Sequence, residues 1–474
     1  MLRTSDEFRA GLRDARRVVY RGAEVDDVVA EPELRTAVDH SAICFDISFD
    51  EDHRPLAVDT EDGQAFSAYF GVPRSSADLE RRGRLIEATS ALGGGSIVLK
   101  EVGSDALFGL LRALDGEELE RARAYHAWCR HADVALAVAQ TDVKGNRALA
   151  PHEQPDPDLY LRVVDEDATS ITVRGAKAHT SFSANADELI VLPTRAMAPE
   201  SRDYAVSFAI PVATPGLELY VSPYSAGDAG RNPFEFPLSS RHKLLESLTV
   251  FDDVVVPKDR VFLLRDARRA GALATAFVDY HRFTAISYKL PLVDAFVGAA
   301  MEIAEMNGIA RAAHVREKVG RLVAYAETVR GLRDLSALRA REGANGMWLP
   351  DPLLVNMAKY AFAHGFQEAT GTLIDLSGGL LVTGPGHEDW ENPDVRPVLE
   401  KYFAAAAAAE PRLRMLNLIG DLTARDFGGY QAVLAGQAEG SLEAEKMMML
   451  RSYDPAPARA YARRLAGLDV PALA

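Results

Sequence analysis

The order of local patterns along the chain is the feature that most restricts its fold. A helical pattern gives way near residue 141 to short runs of alternating apolar and polar residues, and a helical pattern returns after about residue 275. Strand-like runs at this spacing, separated by Gly, Pro and polar residues, favour an antiparallel sheet or barrel over βαβ units. The predicted strands lie within residues 158–166, 170–176, 187–194, 204–212, 217–222 and 245–263.

The segment after the strands has the spacing of amphipathic helices. Val293 and Phe296 begin one apolar stripe that repeats at i, i+3 and i+4. A chain of 474 residues is too long for one small core, so two or three packed units are expected. We predict an α+β protein with an N-terminal helical domain over residues 1–140, a middle antiparallel β domain over 141–270 and a C-terminal helical bundle over 271–474.

Charge and cysteine content exclude several function classes. The net charge of −16 argues against nucleic acid or an anionic membrane as the partner. No apolar run reaches the roughly 18 residues of a membrane span, and the charged N-terminus lacks the apolar core of a signal peptide, which predicts a cytoplasmic protein. Cys44 and Cys129 are the only cysteines, which excludes a disulfide framework and a four-thiolate cluster built from this chain alone.

A run of short hydrogen-bonding side chains interrupts the predicted strands between residues 174 and 194. Thr180 and Ser181 lie at its centre, beside His179, Ser183 and Asn185. The run is consistent with a solvated hairpin. It is also consistent with a wall that hydrogen-bonds a flat heterocycle, because hydroxyl groups can donate to ring nitrogens and accept from ring N–H groups.

The segment Gln140–Arg147, "QTDVKGNR", lies at the junction between the helical and strand-like regions. Lys144 and Arg147 flank a glycine, and two cations beside exposed backbone N–H groups suit a phosphate. A simple charged turn fits the same residues.

The segment from His281 to Lys289, "HRFTAISYK", is polar but opens an apolar helical pattern. A helix N-terminus disfavours a charged imidazole, so we expect a neutral His281 there. Tyr288 follows two helical turns later and can face the same way. The segment is either a solvated helix end or the wall of a site. The chain contains no HxxxH, CxxC or GxSxG motif, which argues against a metallohydrolase or a serine hydrolase.

Taken together, six long segments resemble one known family. The resemblance is to the oxygenase component of 4-hydroxyphenylacetate 3-hydroxylase and to 4-hydroxybutyryl-CoA dehydratase. It covers nearly the whole chain and implies an acyl-CoA-dehydrogenase-like fold that binds FAD between its domains, usually as a homotetramer. The segments are "TDVKGNRALAPHEQPDPDLYLRVV", "VRGAKAHTSFSANADELIVLPTRAM", "FPLSSRHKLLESLTVFDDVVVPKDRVF", "YHRFTAISYK", "LSGGLLVTGPGHEDWENPDVRPVLEKY" and "AEGSLEAEKMM".

The resemblance also implies which residues bind the cofactor. The 140–147 turn, the hydroxyl-rich run and a C-terminal segment match flavin-contacting positions, and the glycine-rich loop at residues 377–386 would touch the FAD of the same or a neighbouring subunit. The implied FAD contacts are Gln140, Lys144, Gly145, Asn146, Arg147, Thr180, Ser181, Gly440, Ser441 and Glu443.

Departures from the family pattern bear on the mechanism. The dehydratases hold a [4Fe-4S] cluster on one histidine and three cysteines. The histidine matches His281, but the cysteine positions match Ile97, Glu101 and Tyr288, so a cluster is not expected. The hydroxylases bind their phenol through an "RSPDY" segment and a histidine. Val102 and Ala106 take the places of its Arg and Tyr, and Val138 takes the place of the histidine.

The resemblance therefore implies a cluster-free, FAD-dependent enzyme. The first hypothesis is a two-component monooxygenase that receives FADH2 from a separate reductase and oxidises a small organic substrate, aromatic or acyl. The alternative is a dehydratase, isomerase or dehydrogenase acting on an acyl-CoA-type thioester, and a flavoprotein scaffold without turnover is a third class. The implied catalytic residues are His281, Tyr288, Lys289 and Glu439.

Overall fold

The computed structural model describes residues 1–468, with residues 224, 226 and 228 excepted. The last six residues of the predicted C-terminal bundle lie outside the described residues. No helix within the described part of the chain is long and apolar enough to cross a membrane.

The first 140 residues are mainly helical, as predicted, but they also supply strands. The helices are α1 (Ser5–Gly11), α2 (Pro32–Asp46), α3 (Arg54–Ala57), α4 (Ser76–Leu92), α5 (Leu99–Ala113) and α6 (Gly116–Ala132). The strands are β1 (Arg17–Tyr20), β2 (Ala23–Val25), β3 (Val58–Glu61), β4 (Gln64–Ser67) and β5 (Leu136–Ala139).

The middle region forms strands in all six segments where they are predicted. They are β6 (Arg162–Glu166), β7 (Ser170–Ser181), β8 (Glu188–Val191), β9 (Val206–Pro211), β10 (Leu217–Ser222), β11 (Glu246–Pro257) and β12 (Val261–Leu264). Together with β1, β2 and β5, these strands build two sheets. The six-stranded sheet has the order β2-β1-β10-β11-β7-β6, and the four-stranded sheet has the order β12-β9-β8-β5. Pairing is antiparallel except between β1 and β10 and between β5 and β8. Both parallel pairs join a strand from before residue 141 to the middle sheets.

The C-terminal region is a helical bundle with one small hairpin. Its elements are α7 (Ala267–Tyr288), α8 (Leu290–Met306), α9 (Ala313–Leu338), β13 (Arg341–Glu342), β14 (Trp348–Leu349), α10 (Pro352–Ser377), α11 (Leu380–Thr383), α12 (His387–Glu391), α13 (Arg396–Tyr402), α14 (Ala409–Thr423), α15 (Asp426–Gln437), α16 (Leu442–Ser452) and α17 (Ala456–Leu465).

Two large hydrophobic cores meet where α7 passes into α8. One core joins the N-terminal helices to both middle sheets and reaches Tyr288. The other lies within the bundle and begins at Leu290. The predicted α+β architecture is confirmed, whereas the predicted boundaries at residues 140 and 270 stay a prediction. The border between the two cores is where a cofactor and a substrate can lie between layers.

Candidate active site

His281 lies in the middle of a long helix. The helix α7 begins at Ala267, where the side chain of Asp266 accepts hydrogen bonds from the first backbone N–H groups. The expectation that His281 starts a helix is therefore wrong, because the apolar stripe visible after Leu290 belongs to the next helix. The imidazole stacks on Phe277, with ring centroids 4.9 Å apart, and its Nδ1 is 3.0 Å from Oδ2 of Asp105.

Asp105 on α5 is fully buried and has three partners. Its Oδ1 accepts from Arg82 Nη2 at 2.6 Å and from Thr284 Oγ1 at 2.9 Å. The guanidinium at this distance makes a charge-assisted hydrogen bond to the Asp105 carboxyl group. The ring of His281 therefore donates its Nδ1 proton to Asp105, and Nε2 is left as the basic nitrogen. Sequence reasoning missed Asp105, although it stands between Val102 and Ala106 in the segment matched to "RSPDY".

Tyr288, Lys289 and Glu439, three of the implied catalytic residues, lie together in the structure. Glu439 Oε1 accepts from Tyr288 Oη at 2.5 Å, and Oε2 accepts from Lys289 Nζ at 2.6 Å. Burial alone would raise the pKa of the Glu439 carboxyl, but the nearby cations, Lys289 first, outweigh burial and hold that pKa at about 2. Burial lowers the pKa of Lys289 to about 8 although Glu439 opposes this. The site thus contains a buried ion pair between Glu439 and Lys289. Glu439 also accepts a hydrogen bond from the phenol of Tyr288.

Glu246 is a half-buried carboxyl that sequence reasoning also missed. It opens β11, and its Oε1 accepts from Ser181 Oγ at 2.9 Å and from Tyr430 Oη at 2.7 Å. Burial raises the pKa of Glu246 to about 7, and the charge of Glu439 acts in the same direction. The signal in the sequence is an acidic residue inside the otherwise apolar start of a strand. Glu246 binds Ser181, an implied flavin contact, and lies close enough to the implied catalytic residue Glu439 to feel its charge.

Thr180 has a different environment from its neighbour Ser181. Its side chain is fully buried, and its Oγ1 accepts from Thr249 Oγ1 at 2.9 Å. Ser247 and Ser183 continue this chain of hydroxyl groups into the sheet, 2.9 and 2.6 Å apart from one partner to the next. The alternation of β7 therefore turns the Thr180 hydroxyl inward and the Ser181 hydroxyl toward the bundle.

The Gln140–Arg147 turn is exposed and carries two free cations. Lys144 and Arg147 have no side-chain partner in the described part of the chain. Gly145 has φ 49°, and a Cβ there would lie 2.8 Å from Oε1 of Gln154. The same Oε1 accepts from the backbone N–H of Asn146 at 3.1 Å. Two unpaired cations on a turn locked by glycine fit the phosphates of FAD.

The implied C-terminal contacts differ in exposure. Gly440 has φ 117°, and a Cβ there would lie 2.6 Å from Nη2 of Arg282. Ser441 caps α16 through the N–H of Ala444, whereas Glu443 is exposed and pairs with Lys446. The glycine-rich loop at residues 377–386 contains the short helix α11, and Gly378 ends α10.

Gln140 reaches from the turn to the bundle. Its Nε2 donates to the carbonyl oxygen of Ala274 on α7, at 3.4 Å. Lys177 holds the start of this turn, because its Nζ donates to the Gln140 carbonyl oxygen at 3.0 Å and to Asp142 at 2.6 Å. The phosphate-like turn is thus fixed against both β7 and α7.

The residues that the resemblance matches to the dehydratase cluster positions do not have the chemistry of iron–sulfur ligands. Ile97 and Tyr288 offer no thiolate, and burial raises the pKa of Glu101 to about 8. Both thiols lie elsewhere, in α2 and α6, and are buried. Burial raises the pKa of Cys44 to about 12 and that of Cys129 well above its usual value.

Family profiles match almost the whole chain. Residues 4–263 match the profile described as "4-hydroxyphenylacetate 3-hydroxylase N terminal". Residues 270–467 match "4-hydroxyphenylacetate 3-hydroxylase C terminal".

Individual relatives are similar over the same length. The 4-hydroxyphenylacetate 3-monooxygenase oxygenase component of Thermus thermophilus is 30% identical, covering 91% of this chain and 90% of the relative. The 4-hydroxybutyryl-CoA dehydratase/vinylacetyl-CoA-Delta-isomerase of Clostridium aminobutyricum is 29% identical, covering 99% and 100%. A crystal structure of a 4-hydroxyphenylacetate 3-monooxygenase oxygenase component complexed with FAD superposes with a TM-score of 0.91 at 28% identity, covering 98% of each chain.

Proposed function

This chain belongs to the 4-hydroxyphenylacetate 3-hydroxylase family, and we propose that it acts as the FAD-dependent oxygenase component of a two-component monooxygenase. A separate reductase supplies the reduced flavin. The substrate is a small organic molecule with an ionisable hydroxyl group.

Three regions of the chain would hold FAD. Lys144, Arg147 and the N–H groups of the glycine turn would bind the phosphates, and Ser181 would meet the ring. Because Gly440 has no side chain, the C-terminal segment can approach Arg282 closely. When bound, the reduced flavin supplies the electrons that activate O2.

The Asp105–His281 pair is the observation that carries the proposal. Asp105 holds the Nδ1 proton, so Nε2 of His281 can accept the proton of a substrate hydroxyl. Removing that proton raises the electron density of a phenolic ring and prepares it for oxygen transfer. Arg82 and Thr284 hold Asp105 in turn, so the base has a fixed orientation before the substrate arrives.

The other implied catalytic residues would orient the substrate, and the nearby Glu246 would hold a proton. Glu439 fixes the phenol of Tyr288 and the ammonium of Lys289, which would place two donors beside the substrate. Glu246 accepts a hydrogen bond from Ser181, and because its pKa is about 7 its carboxyl can take up or release a proton near neutral pH.

Apolar side chains where relatives carry polar ones suggest the substrate class. Val102, Ala106 and Val138 are all buried, and none can pair with a carboxylate. We propose a substrate whose distal end is neutral, such as a phenolic ester or thioester, in preference to free 4-hydroxyphenylacetate. A buried apolar wall favours an uncharged group there.

A second candidate is a dehydratase, isomerase or dehydrogenase acting on an acyl-CoA-type thioester. Two potential bases, His281 and Glu439, lie in one site, and Glu439 is ionised. The likeness to the Clostridium aminobutyricum relative over its full length also supports it. The donor set does not fit a cluster, so this chemistry would proceed with flavin alone.

Oxygen uptake separates these functions. Purified protein is mixed with reduced FAD and a panel of 4-hydroxyphenylacetate, 4-nitrophenol, a phenolic CoA thioester and 4-hydroxybutyryl-CoA. The proposal predicts a hydroxylated product formed with O2 consumption, preferentially from the phenolic thioester. Product formed from 4-hydroxybutyryl-CoA without O2 would establish the second candidate. FAD binding without any product from the panel would favour a scaffold.

The proposal includes a homotetramer in the cytoplasm. The helix α17 has no buried residue, yet it exposes Tyr461 and Leu465; an amphipathic helix with a bare apolar side suits a subunit contact. Both cysteines are free thiols, as is usual in a reducing compartment. Light scattering coupled to size exclusion tests the tetramer, and fractionation of the host tests the location.

A further inference from the structure

Lys359 on α10 is a buried ammonium that joins three parts of the C-terminal segment. Its side chain is fully buried. Its Nζ donates to the carbonyl oxygen of Ala435 at 3.1 Å, lies 3.4 Å from Glu445 Oε1 and lies 3.7 Å from Glu439 Oε2. These partners belong to the end of α15, to the following turn and to α16.

The turn that carries Glu439 depends on outside contacts for its shape. Glu439 has φ 56° and Gly440 has φ 117°, a left-handed backbone that a glutamate rarely adopts. From α7, Arg282 Nε donates to the carbonyl oxygen of Glu439 at 3.0 Å. Arg282 thus holds the backbone of the turn, and Lys359 lies close to the side-chain carboxylate of Glu439.

Glu445 is an unusual partner for Lys359. Its side chain is fully buried, and neither oxygen accepts a hydrogen bond from any described residue. A buried carboxylate without hydrogen bonds is destabilising, so its presence calls for an electrostatic explanation. Without it, Glu439 would be the one carboxylate that balances both Lys289 and Lys359 among the described residues around them.

We propose that Lys359, with its charge balanced by Glu445, is a positioning residue that holds the Glu439 carboxylate against Tyr288 and Lys289. Lys359 and Lys289 approach the same oxygen, Oε2, so together they leave Oε1 to Tyr288. The arrangement rests on the proposed function only in that Glu439 serves the flavin site.

Charged groups from four elements surround Glu439. The cations hold its carboxyl ionised, and Lys359 is second only to Lys289 in this effect. Losing Lys359 therefore raises the pKa of Glu439 and frees its side chain to rotate. The titratable groups are His281, Arg282, Tyr288 and Lys289 on or next to α7, Glu246 on β11, Lys359 on α10 and Glu445 on α16.

The test compares Lys359→Met, Lys359→Arg and the charge-neutral double variant Lys359→Met/Glu445→Gln as full-length protein. Crystal structures are determined for each, and kcat and KM for reduced FAD are measured from about pH 5 to about pH 9 with the panel substrate that turns over. Lys318→Met is the matched control, because Lys318 joins the exposed sides of α9 and α10 through Asp375.

In Lys359→Met and in the double variant we expect Glu439 to leave Tyr288, and kcat to fall by about tenfold or more across the pH range. KM should change by less than about threefold. Lys359→Arg should restore both features, and Lys318→Met should leave them as in the wild type. The double variant keeps the test decisive if Lys359→Met alone does not fold.

Crystals of either variant in which Glu439 stays bonded to Tyr288 and Lys289 would overturn the proposal. An unchanged kcat with only a lower melting temperature would do the same, since it would leave Lys359 a purely structural role. The crystallographic result needs no turnover, so it stands even if the wild type proves inactive on the whole panel.

Discussion

Asp105 on α5 and His281 on α7 form a carboxylate–imidazole pair, with Oδ2 and Nδ1 3.0 Å apart. The two residues are 176 positions apart in the chain. Because Asp105 is fully buried and paired with Arg82, the pair assigns the basic nitrogen of the ring to Nε2.

Replacing Asp105 by Asn should lower kcat by about 100- to 10,000-fold, because an amide cannot hold the reactive tautomer of His281. His281→Ala should abolish turnover and leave the fold intact. Asp279→Asn is the matched control. Asp279 is a buried acidic residue on α7, the helix that also carries His281, and it pairs with Arg112. Steady-state kinetics and circular dichroism check both. Full activity in Asp105→Asn would remove the proposed base.

Arg147→Ala should weaken FAD binding by about one to two orders of magnitude, because a charge-assisted contact contributes about 1.5–3 kcal/mol. Flavin fluorescence titration measures the Kd. Arg311→Ala replaces another exposed arginine, far from the turn in sequence, and should bind FAD like the wild type. Equal affinity in all three proteins would show that Arg147 does not meet a phosphate.

The stability of the apoprotein should depend on pH through Glu246. Burial raises its pKa from 4.5 to about 7, so the folded state binds more protons than the unfolded state between these values. The free energy of unfolding contributed by Glu246 therefore falls as pH rises from about 4.5 to about 7 and stays low above that.

Glu246→Gln lacks this term. The wild type should lose about 1–3 kcal/mol relative to the variant between about pH 5 and about pH 8, as measured by urea unfolding. Glu317→Gln, an exposed glutamate on α9, should show no such difference. A constant gap between wild type and Glu246→Gln across this range would mean that Glu246 is not protonated in the fold.

Protein purified without oxygen should contain no stoichiometric iron or sulfide. A cluster needs thiolate ligands, and the matched positions hold Ile97, Glu101 and Tyr288. Tyr288→Cys should not restore a cluster, because two further thiolates would still be missing. Colorimetric iron and sulfide assays decide the matter. About four irons per subunit with equal sulfide would favour the dehydratase hypothesis.

Local patterns were sufficient to predict the architecture. Alternation along β7 and the turn residues between strands depend on neighbours in the sequence, so all six strand-containing segments could be predicted. The same holds for the turn around Gly145, whose cations are local. The strands β1 to β5 were not predicted, because each has only three or four residues. In addition, β1 and β5 pair with strands that are distant in the chain.

The sequence by itself determined the helix–sheet–helix order and, through its resemblance to a family, the residues from His281 to Lys289 and Glu439. Only the tertiary structure brought Asp105 to His281, Glu246 to Ser181 and Lys359 to Glu439. The physical reason is that these hydrogen bonds and ion pairs depend on how helices and sheets pack against each other. Packing joins residues that are far apart in the chain, and their separation leaves no periodic pattern in the sequence.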